Sequence, residues 1–228
     1  RAAVHGGADV GAALAEAPGV DAISLTGSTA AGIAVAKATA HTLRFLHLEL
    51  GGNNGCLILD DADLDLVAAE VTRGRLMMNG QACSASKRLI VHRSLHDQLA
   101  AKLVDAVQAQ RHGAATDPDS TVGPLIHAGA AEKVAGQVAN ARSQGAEIAA
   151  GTGEADGAYF APTLLAGVPF DADIARDDEI FGPVFNLIPV DSTEQAIEVA
   201  NSSSFGLMAS VFSEDPRRAL HVGEELES

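Results

Sequence analysis

Short apolar runs alternate with helical stretches along the whole chain, and this alternation is the feature that most constrains its fold. In the first third, the pattern predicts a strand at Ala22 to Leu25, a helix at Thr29 to Ala40 and a strand at Phe45 to Leu48. The alternation continues to a strand at Ala209 to Phe212 and a last helix that begins at Asp215-Pro216. This order of elements predicts an α/β fold that opens with a βαβ unit.

The turn between the first strand and the first of these helices is rich in glycine. Thr26, Gly27 and Ser28 form the turn, and Gly32 follows inside the helix. A helix that starts after such a turn presents unpaired N–H groups and the positive end of its dipole to a phosphate. The GxxxxG spacing is a weak signal by itself, because a tight turn before any helix has the same composition.

Charge and cysteine content exclude several classes of function. The 228 residues include 30 acidic and 15 basic side chains, which gives a net charge of -15. Such a surface repels phosphates and anionic lipid, so no nucleic acid and no membrane partner is expected. The two cysteines are too few for a disulfide framework or a zinc site of the thiolate type, which favours a soluble protein of the reducing cytoplasm. Cys56, in an apolar run, is predicted to be a buried strand residue.

Two polar side chains stand out against this background. Cys83 lies in the segment NGQACSASKR (79–88), and Glu49 stands alone in the apolar segment LHLELGGNN (46–54). A thiolate is a nucleophile, and backbone N–H groups around it can stabilise an oxyanion. A carboxylate at the end of an apolar strand is placed to act as a general base. Loop cysteines are often inert and strand-end glutamates often face water, so residue types alone leave both roles open.

Together, these two segments resemble the nucleophile and general-base motifs of the NAD(P)-dependent aldehyde dehydrogenase family. SLTGSTAAG (24–32) is similar to the family's cofactor turn, and EIFGPVF (179–185) is similar to the segment whose glutamate binds the nicotinamide ribose. The resemblance extends over essentially the whole chain, from Gly11 to Asp215. It implies an oxidoreductase that converts an aldehyde to a carboxylic acid with NAD or NADP.

The resemblance also assigns roles by motif position. It implies that Cys83 forms the thiohemiacetal and thioester, and that Glu49 deprotonates the water that hydrolyses the thioester. Contacts with NAD or NADP are implied for Thr26, Gly27, Ser28, Gly32, Leu50, Gly51, Glu179 and Phe181. No metal ligand is expected. The implied partners are a small aldehyde and, for the parent enzyme, further copies of itself in a homodimer or homotetramer.

Family members begin with a longer nucleotide-binding region and continue past the position of Glu227. The resemblance therefore implies an internal fragment of such an enzyme. Residues 1–48 would be the end of a Rossmann-type cofactor domain, and residues 49–228 would be most of an α/β catalytic domain. Members that act on succinate semialdehyde often carry an arginine six residues before the nucleophile. Here that position is Met77, which favours an uncharged aliphatic or aromatic aldehyde.

Three alternatives stay open from the sequence. The chain could be a catalytically inert fragment, because the larger part of the cofactor domain would be missing. A relative that transfers the acyl group to coenzyme A is disfavoured, because such enzymes generally lack the glutamate at the position of Glu49. A cysteine hydrolase would use Cys83 and Glu49 but would leave segments 24–32 and 179–185 without a role.

Basic residues flank the Cys83 segment on both sides. They are interpreted as a solvated edge, with Lys87 or Arg88 able to bias the local field. The residues in question are Arg73, Arg75, Lys87 and Arg88.

Overall fold

A computed structural model describes residues 3–228, and the chain divides into one unit that ends at Gly51 and a second, Gly52–Ser228. The first unit contains helix α1 (Ala8–Glu16), strand β1 (Ala22–Thr26), helix α2 (Thr29–Thr39) and strand β2 (Phe45–Glu49). The two strands are parallel, with Ala22 opposite Phe45 and Thr26 opposite Glu49. The predicted βαβ unit is therefore confirmed.

The second unit is built on one six-stranded sheet. Its strands are β3 (Gly55–Ile58), β4 (Arg88–His92), β5 (Glu147–Ala150), β8 (Thr163–Ala166), β9 (Val184–Val190) and β10 (Ala209–Phe212), and a small antiparallel pair, β6 (Ala155–Asp156) and β7 (Tyr159–Phe160), lies outside this sheet. The order across the sheet is β10-β3-β4-β9-β8-β5. Every pairing is parallel except that of the edge strand β5 with β8. The α/β prediction is thus confirmed.

Five helices cover this sheet: α3 (Leu64–Leu76), α4 (Arg93–Gln108), α5 (Ala128–Ser143), α6 (Thr193–Asn201) and α7 (Pro216–Glu224). They pack into two separate apolar cores, because successive residues of a strand point to opposite faces of a sheet. In β4, Leu89 and Val91 join the core that contains α3 and α4. Ile90 joins the other core, which contains α5, α6 and α7. Burial on both faces explains why most residues of β3, β4 and β9 are apolar.

Local signals set most helix starts. Asp63 accepts hydrogen bonds from the backbone of Asp65 and Leu66 at the start of α3, and Ser192 accepts one from Gln195 at the start of α6. Helix α4 starts in a different way. This helix begins at Arg93, and the ring of His92 accepts from the backbone N–H of Ser94. Among residues 3–228, no helix is both long and apolar enough to cross a bilayer.

Candidate active site

Three loops meet at the end of the second unit's sheet where strands β3, β4 and β9 begin, and this end is called the sheet edge below. Residues 52–54 lead into β3, residues 83–87 lead into β4, and residues 179–182 lie just before β9. These strands are neighbours and parallel, with Gly55 opposite Arg88 and Arg88 opposite Asn186. Their amino-terminal ends therefore lie side by side, and the segments that precede them converge although they are far apart in sequence.

The loop before Cys83 has an unusual backbone. Met78, Asn79 and Gly80 have φ angles of 55°, 56° and 76°, so three successive residues are left-handed. Non-glycine residues adopt this conformation at a cost, and such strain concentrates at functional sites. The Asn79 amide supports the turn, because it donates to the carbonyl of Pro124 (3.1 Å) and accepts from the N–H of Gly123 (2.9 Å).

Gly80 is required in this loop for two reasons. Its positive φ disfavours any residue with a Cβ, and a Cβ at this position would lie 2.2 Å from the carbonyl oxygen of Gly182. The loop before Cys83 and the loop before β9 are therefore in direct backbone contact. This contact fixes the backbone directly before Gln81 and Cys83.

Cys83 is partly exposed, and its peptide is held firmly. The carbonyl oxygen of Cys83 accepts hydrogen bonds from Asn54 Nδ2 (2.6 Å) and from Lys87 Nζ (2.9 Å). Gly52 packs against the same oxygen, since a Cβ on Gly52 would lie 3.0 Å from it. Gly52 therefore allows the backbone before β3 to approach the backbone of Cys83 closely.

Lys87 is the charged centre of this edge. Its side chain has no exposed surface, and its ammonium donates to the carbonyl of Gly52 and pairs with Glu179 Oε1 at 2.8 Å. The ring of Phe181 lies 5.7 Å from Nζ, within cation–π range. Burial lowers the pKa of Lys87, and the hydrogen bond and charge of Glu179 oppose this fall. A buried ammonium is tolerated here because polar partners surround it.

Glu179 and Phe181 lie in a loop that is anchored along its length. Glu179 Oε1 also accepts from the backbone N–H of Gly52 (3.2 Å), and its side chain is 19% exposed. Arg75 donates to the carbonyls of Ile180 and Val184, and Gln137 donates to that of Glu179. Phe181 is 41% exposed. The loop therefore presents a carboxylate and an aromatic ring on a fixed backbone.

The prediction of a solvated basic edge is correct for Arg73 and wrong for its three companions. Arg73 is exposed and pairs with Glu70. Arg75 and Lys87 are fully buried, and Arg88 is 2% exposed. Burial lowers the pKa of Arg75 to about 9 and that of Arg88 to about 10. The sequence missed them because their acceptors are backbone carbonyls from distant segments; Arg88, for example, donates to the carbonyls of Asn53, Ala175, Val199 and Ala200.

Glu49 ends β2 of the first unit, opposite Thr26. Its side chain is 46% exposed, and His47 Nε2 lies 3.3 Å from Glu49 Oε1. The other ring nitrogen of His47, Nδ1, lies 3.1 Å from Ser24 Oγ on the neighbouring strand. The carbonyl of Glu49 accepts from the N–H of Gly27 (2.9 Å), which joins this strand end to the glycine turn. Glu49 is thus accessible and has a hydrogen-bonding neighbour.

The glycine turn leads directly into α2. Ser28 caps this helix, and its Oγ accepts from the N–H of Ala31 (3.2 Å). A Cβ on Gly32 would lie 2.8 Å from Leu50 Cδ2, so Gly32 lets the helix pack closely on Leu50. A Cβ on Gly27 would meet nothing nearer than 3.7 Å, so packing within this unit does not require glycine there. None of the contacts described for this unit involves Gly51.

Comparison with known proteins places these motifs in one family. The family model of the Aldehyde dehydrogenase family matches residues 2–228. The chain belongs to this family. It is 36% identical to an aldehyde dehydrogenase from Monascus ruber, over 97% of this chain and 45% of that protein. It is also 36% identical to 2-hydroxymuconic semialdehyde dehydrogenase from Pseudomonas putida, over 99% of this chain and 48% of that protein.

Solved structures of the family share the fold. NAD-dependent aldehyde dehydrogenase from Sinorhizobium meliloti superposes with a TM-score of 0.89 and 36% identity, over 95% of this chain and 43% of that one. The predicted aldehyde dehydrogenase-like fold is therefore confirmed. The chain spans about half the length of the curated relatives it matches.

Proposed function

We propose that the chain is part of an enzyme that oxidises an aldehyde to a carboxylic acid with NAD+ or NADP+, with Cys83 as nucleophile and Glu49 as general base. The observation that carries the proposal is the convergence of Cys83 and Glu179 on one ammonium, that of Lys87, in a member of this family. Residues 1–48 would belong to the cofactor domain and residues 49–228 to the catalytic domain.

Two features of the chain fit a nicotinamide dinucleotide. The first turn of α2 follows Gly27 and Ser28, and the N–H groups of a first turn lack intrahelical acceptors and suit a phosphate. Glu179 uses Oε1 for its contacts with Lys87 and Gly52 while its side chain reaches solvent, so the carboxylate is available to ribose hydroxyls. The other proposed contacts come from Thr26, Gly32, Leu50, Gly51 and Phe181.

The chemistry assigned to the chain's own residues runs in two stages. The thiolate of Cys83 attacks the aldehyde carbon, a C–S bond forms, and the carbonyl oxygen takes up a proton to give a thiohemiacetal. NAD(P)+, when bound, would supply the acceptor for the hydride that this carbon loses. The hydroxyl oxygen of the thiohemiacetal releases its proton to solvent in the same stage, so that the C=O bond of the thioester forms. Glu49 then takes a proton from water as the water oxygen attacks the thioester carbon. The C–S bond breaks, the carboxylic acid leaves, and the thiolate of Cys83 is restored.

Pre-steady-state kinetics of the complete protein test this assignment. Glu49→Gln should retain a burst of reduced nicotinamide close to one per active site and then turn over slowly, because only thioester hydrolysis needs the activated water. Cys83→Ser, as the matched control, should show no burst. A Glu49→Gln protein that loses the burst itself would show that Glu49 acts earlier than proposed.

The substrate is proposed to be an uncharged aldehyde. Met77 stands where an arginine would pair with a distal carboxylate, and its side chain is 50% exposed just before the strained turn. A thioether offers apolar, polarisable contact and no charge. Benzaldehyde or hexanal should therefore give a higher kcat/KM than succinate semialdehyde, and the reverse order would contradict this assignment.

A further inference from the structure

Lys87 contacts all three loops of the candidate site, but the proposed reaction gives it no role of its own. Its ammonium binds the carbonyls of Gly52 and Cys83 and the carboxylate of Glu179, and so joins all three loops at the sheet edge. We propose that Lys87 is a positioning residue, which holds the peptide of Cys83 and the carboxylate of Glu179 in one network and places a positive charge beside the nucleophile. This inference rests on the proposed function.

Burial of a lysine is costly, so its presence requires a reason beyond packing. An ammonium removed from water loses most of its favourable hydration, and an apolar side chain of similar volume usually stabilises a core as well or better. A methionine would fill the same space without that cost. The ammonium therefore contributes what an apolar side chain cannot, namely donors and charge at this edge of the sheet.

The contacts of Lys87 differ in kind from those of its buried neighbour. Arg88 donates to four backbone carbonyls, of Asn53, Ala175, Val199 and Ala200. Lys87 also donates to two backbone carbonyls, of Gly52 and Cys83, but one of them belongs to the residue that carries the thiol, and the ammonium pairs in addition with the carboxylate of Glu179. The two cations thus form a matched pair, one directed at the backbone of the fold and one at the site.

The thiol of Cys83 and the ammonium of Lys87 also interact through charge. The carbonyl oxygen 2.9 Å from Nζ belongs to the same residue as the sulfur, so the ammonium lies beside the residue that carries the thiol. The negative charge of an ionised Cys83 contributes to the pKa of Lys87 by opposing its fall. The ammonium thus places a positive charge beside the residue that carries the thiol.

Alkylation of Cys83 tests the proposal without any need for turnover. Lys87→Met keeps an unbranched side chain of similar length and removes the charge, and it should slow the reaction of Cys83 with iodoacetamide at pH 7.5 by roughly three- to tenfold. Lys87→Arg, which retains the charge, should recover part of the rate. Arg88→Met should leave the rate of Cys83 within about twofold of the unaltered protein, because the guanidinium of Arg88 donates to neither Cys83 nor Glu179.

Whether the alkylation rate of Cys83 falls or rises in Lys87→Met separates a positioning role from a purely structural one. A side chain that only supports the fold would, when replaced, loosen the loop and make Cys83 react faster. Circular dichroism would confirm that each variant is folded before labelling. Unchanged or faster alkylation in folded Lys87→Met, or equal slowing in Arg88→Met, would overturn the proposal.

Steady-state kinetics of the complete protein give a second readout. Because Lys87 holds Glu179, Lys87→Met should raise the KM for the cofactor roughly tenfold, by a larger factor than kcat falls. If the unaltered protein reduces no nicotinamide with any aldehyde, the proposed function fails, but the alkylation rates still decide the role of Lys87. If it turns over and the KM is unchanged in Lys87→Met, the link to Glu179 is wrong.

Discussion

The two cysteines should differ widely in reactivity, and the structure sets the size of the difference. Cys56 lies in β3 with no exposed surface, and burial raises the pKa of its thiol to about 11 despite hydrogen bonds with Ser210 and Ser86. At pH 8, only about 0.1% of such a thiol is ionised, compared with about 25% for an ordinary cysteine of pKa about 8.5. Ionisation alone therefore slows Cys56 more than about a hundredfold relative to an ordinary thiol, and lack of access slows it further.

The measurement is timed alkylation with iodoacetamide, followed by mass spectrometry of the peptides that carry each cysteine. In the folded protein, Cys83 should be labelled essentially to completion before Cys56 is detectably modified. In 6 M guanidinium chloride, used here as a denatured control, both should react at similar rates, since the difference arises from folding. Labelling of Cys56 as fast as Cys83 in the folded protein would refute the burial argument and remove the reason to treat the two thiols differently.

Two further predictions concern stability. Gly80→Ala should lower the free energy of unfolding by at least about 2 kcal/mol in urea denaturation, because the new Cβ meets the carbonyl of Gly182 in a left-handed backbone. Gly136→Ala, in open space on α5, should instead raise it by roughly 0.5–1 kcal/mol. Hydrogen bonds led by the N–H of Ser204 lower the pKa of Asp177, so the stability they add is present above the unfolded carboxyl pKa of about 3.9 and is lost as the pH falls below it. Asp177→Asn should therefore reduce the loss in free energy of unfolding that the protein shows between pH 5 and 2.

Each of these has an outcome that contradicts it. Equal effects of alanine at positions 80 and 136 would show that the contact with Gly182 is relaxed in solution. An acid profile of Asp177→Asn that follows the unaltered protein would mean that other carboxylates dominate. Asp60 is one such group, because Arg218 lowers its pKa too. Removal of both Asp60 and Asp177 would then separate the two contributions.

The alternation of strands and helices was readable because its signals are local. The stretch from Ala22 to Phe45 carries its own strand, turn and helix, and Ser28 caps the helix within four residues of the strand end. Cys83 and Glu49 were found through motifs, since a lone thiol and a lone carboxylate have no local structural signal of their own. Both assignments stay predictions until they are tested by labelling and kinetics.

The buried cations could not be read from the sequence for a physical reason. Whether a lysine is solvated depends on the acceptors around it, and the partners of Lys87 come from residues 52, 83 and 179. A hydropathy pattern counts Lys87 as polar and places it at the surface. Only the order of strands in the sheet, which local patterns do not encode, brings those acceptors together.

Strand order also explains why the site forms where it does. In open parallel sheets, ligands commonly bind beyond the carboxyl ends of the strands, whereas here the loops before β3, β4 and β9 form the site. The amino-terminal end of a parallel strand exposes backbone carbonyls and N–H groups of the incoming loop, which must be satisfied within the fold. Lys87 and Asn54 satisfy these groups for the Cys83 loop from the adjacent strand entries. The same bonds that complete the backbone of the sheet edge therefore fix the thiol-bearing residue relative to the carboxylate of Glu179, so the geometry of the proposed site is a consequence of how three strands begin.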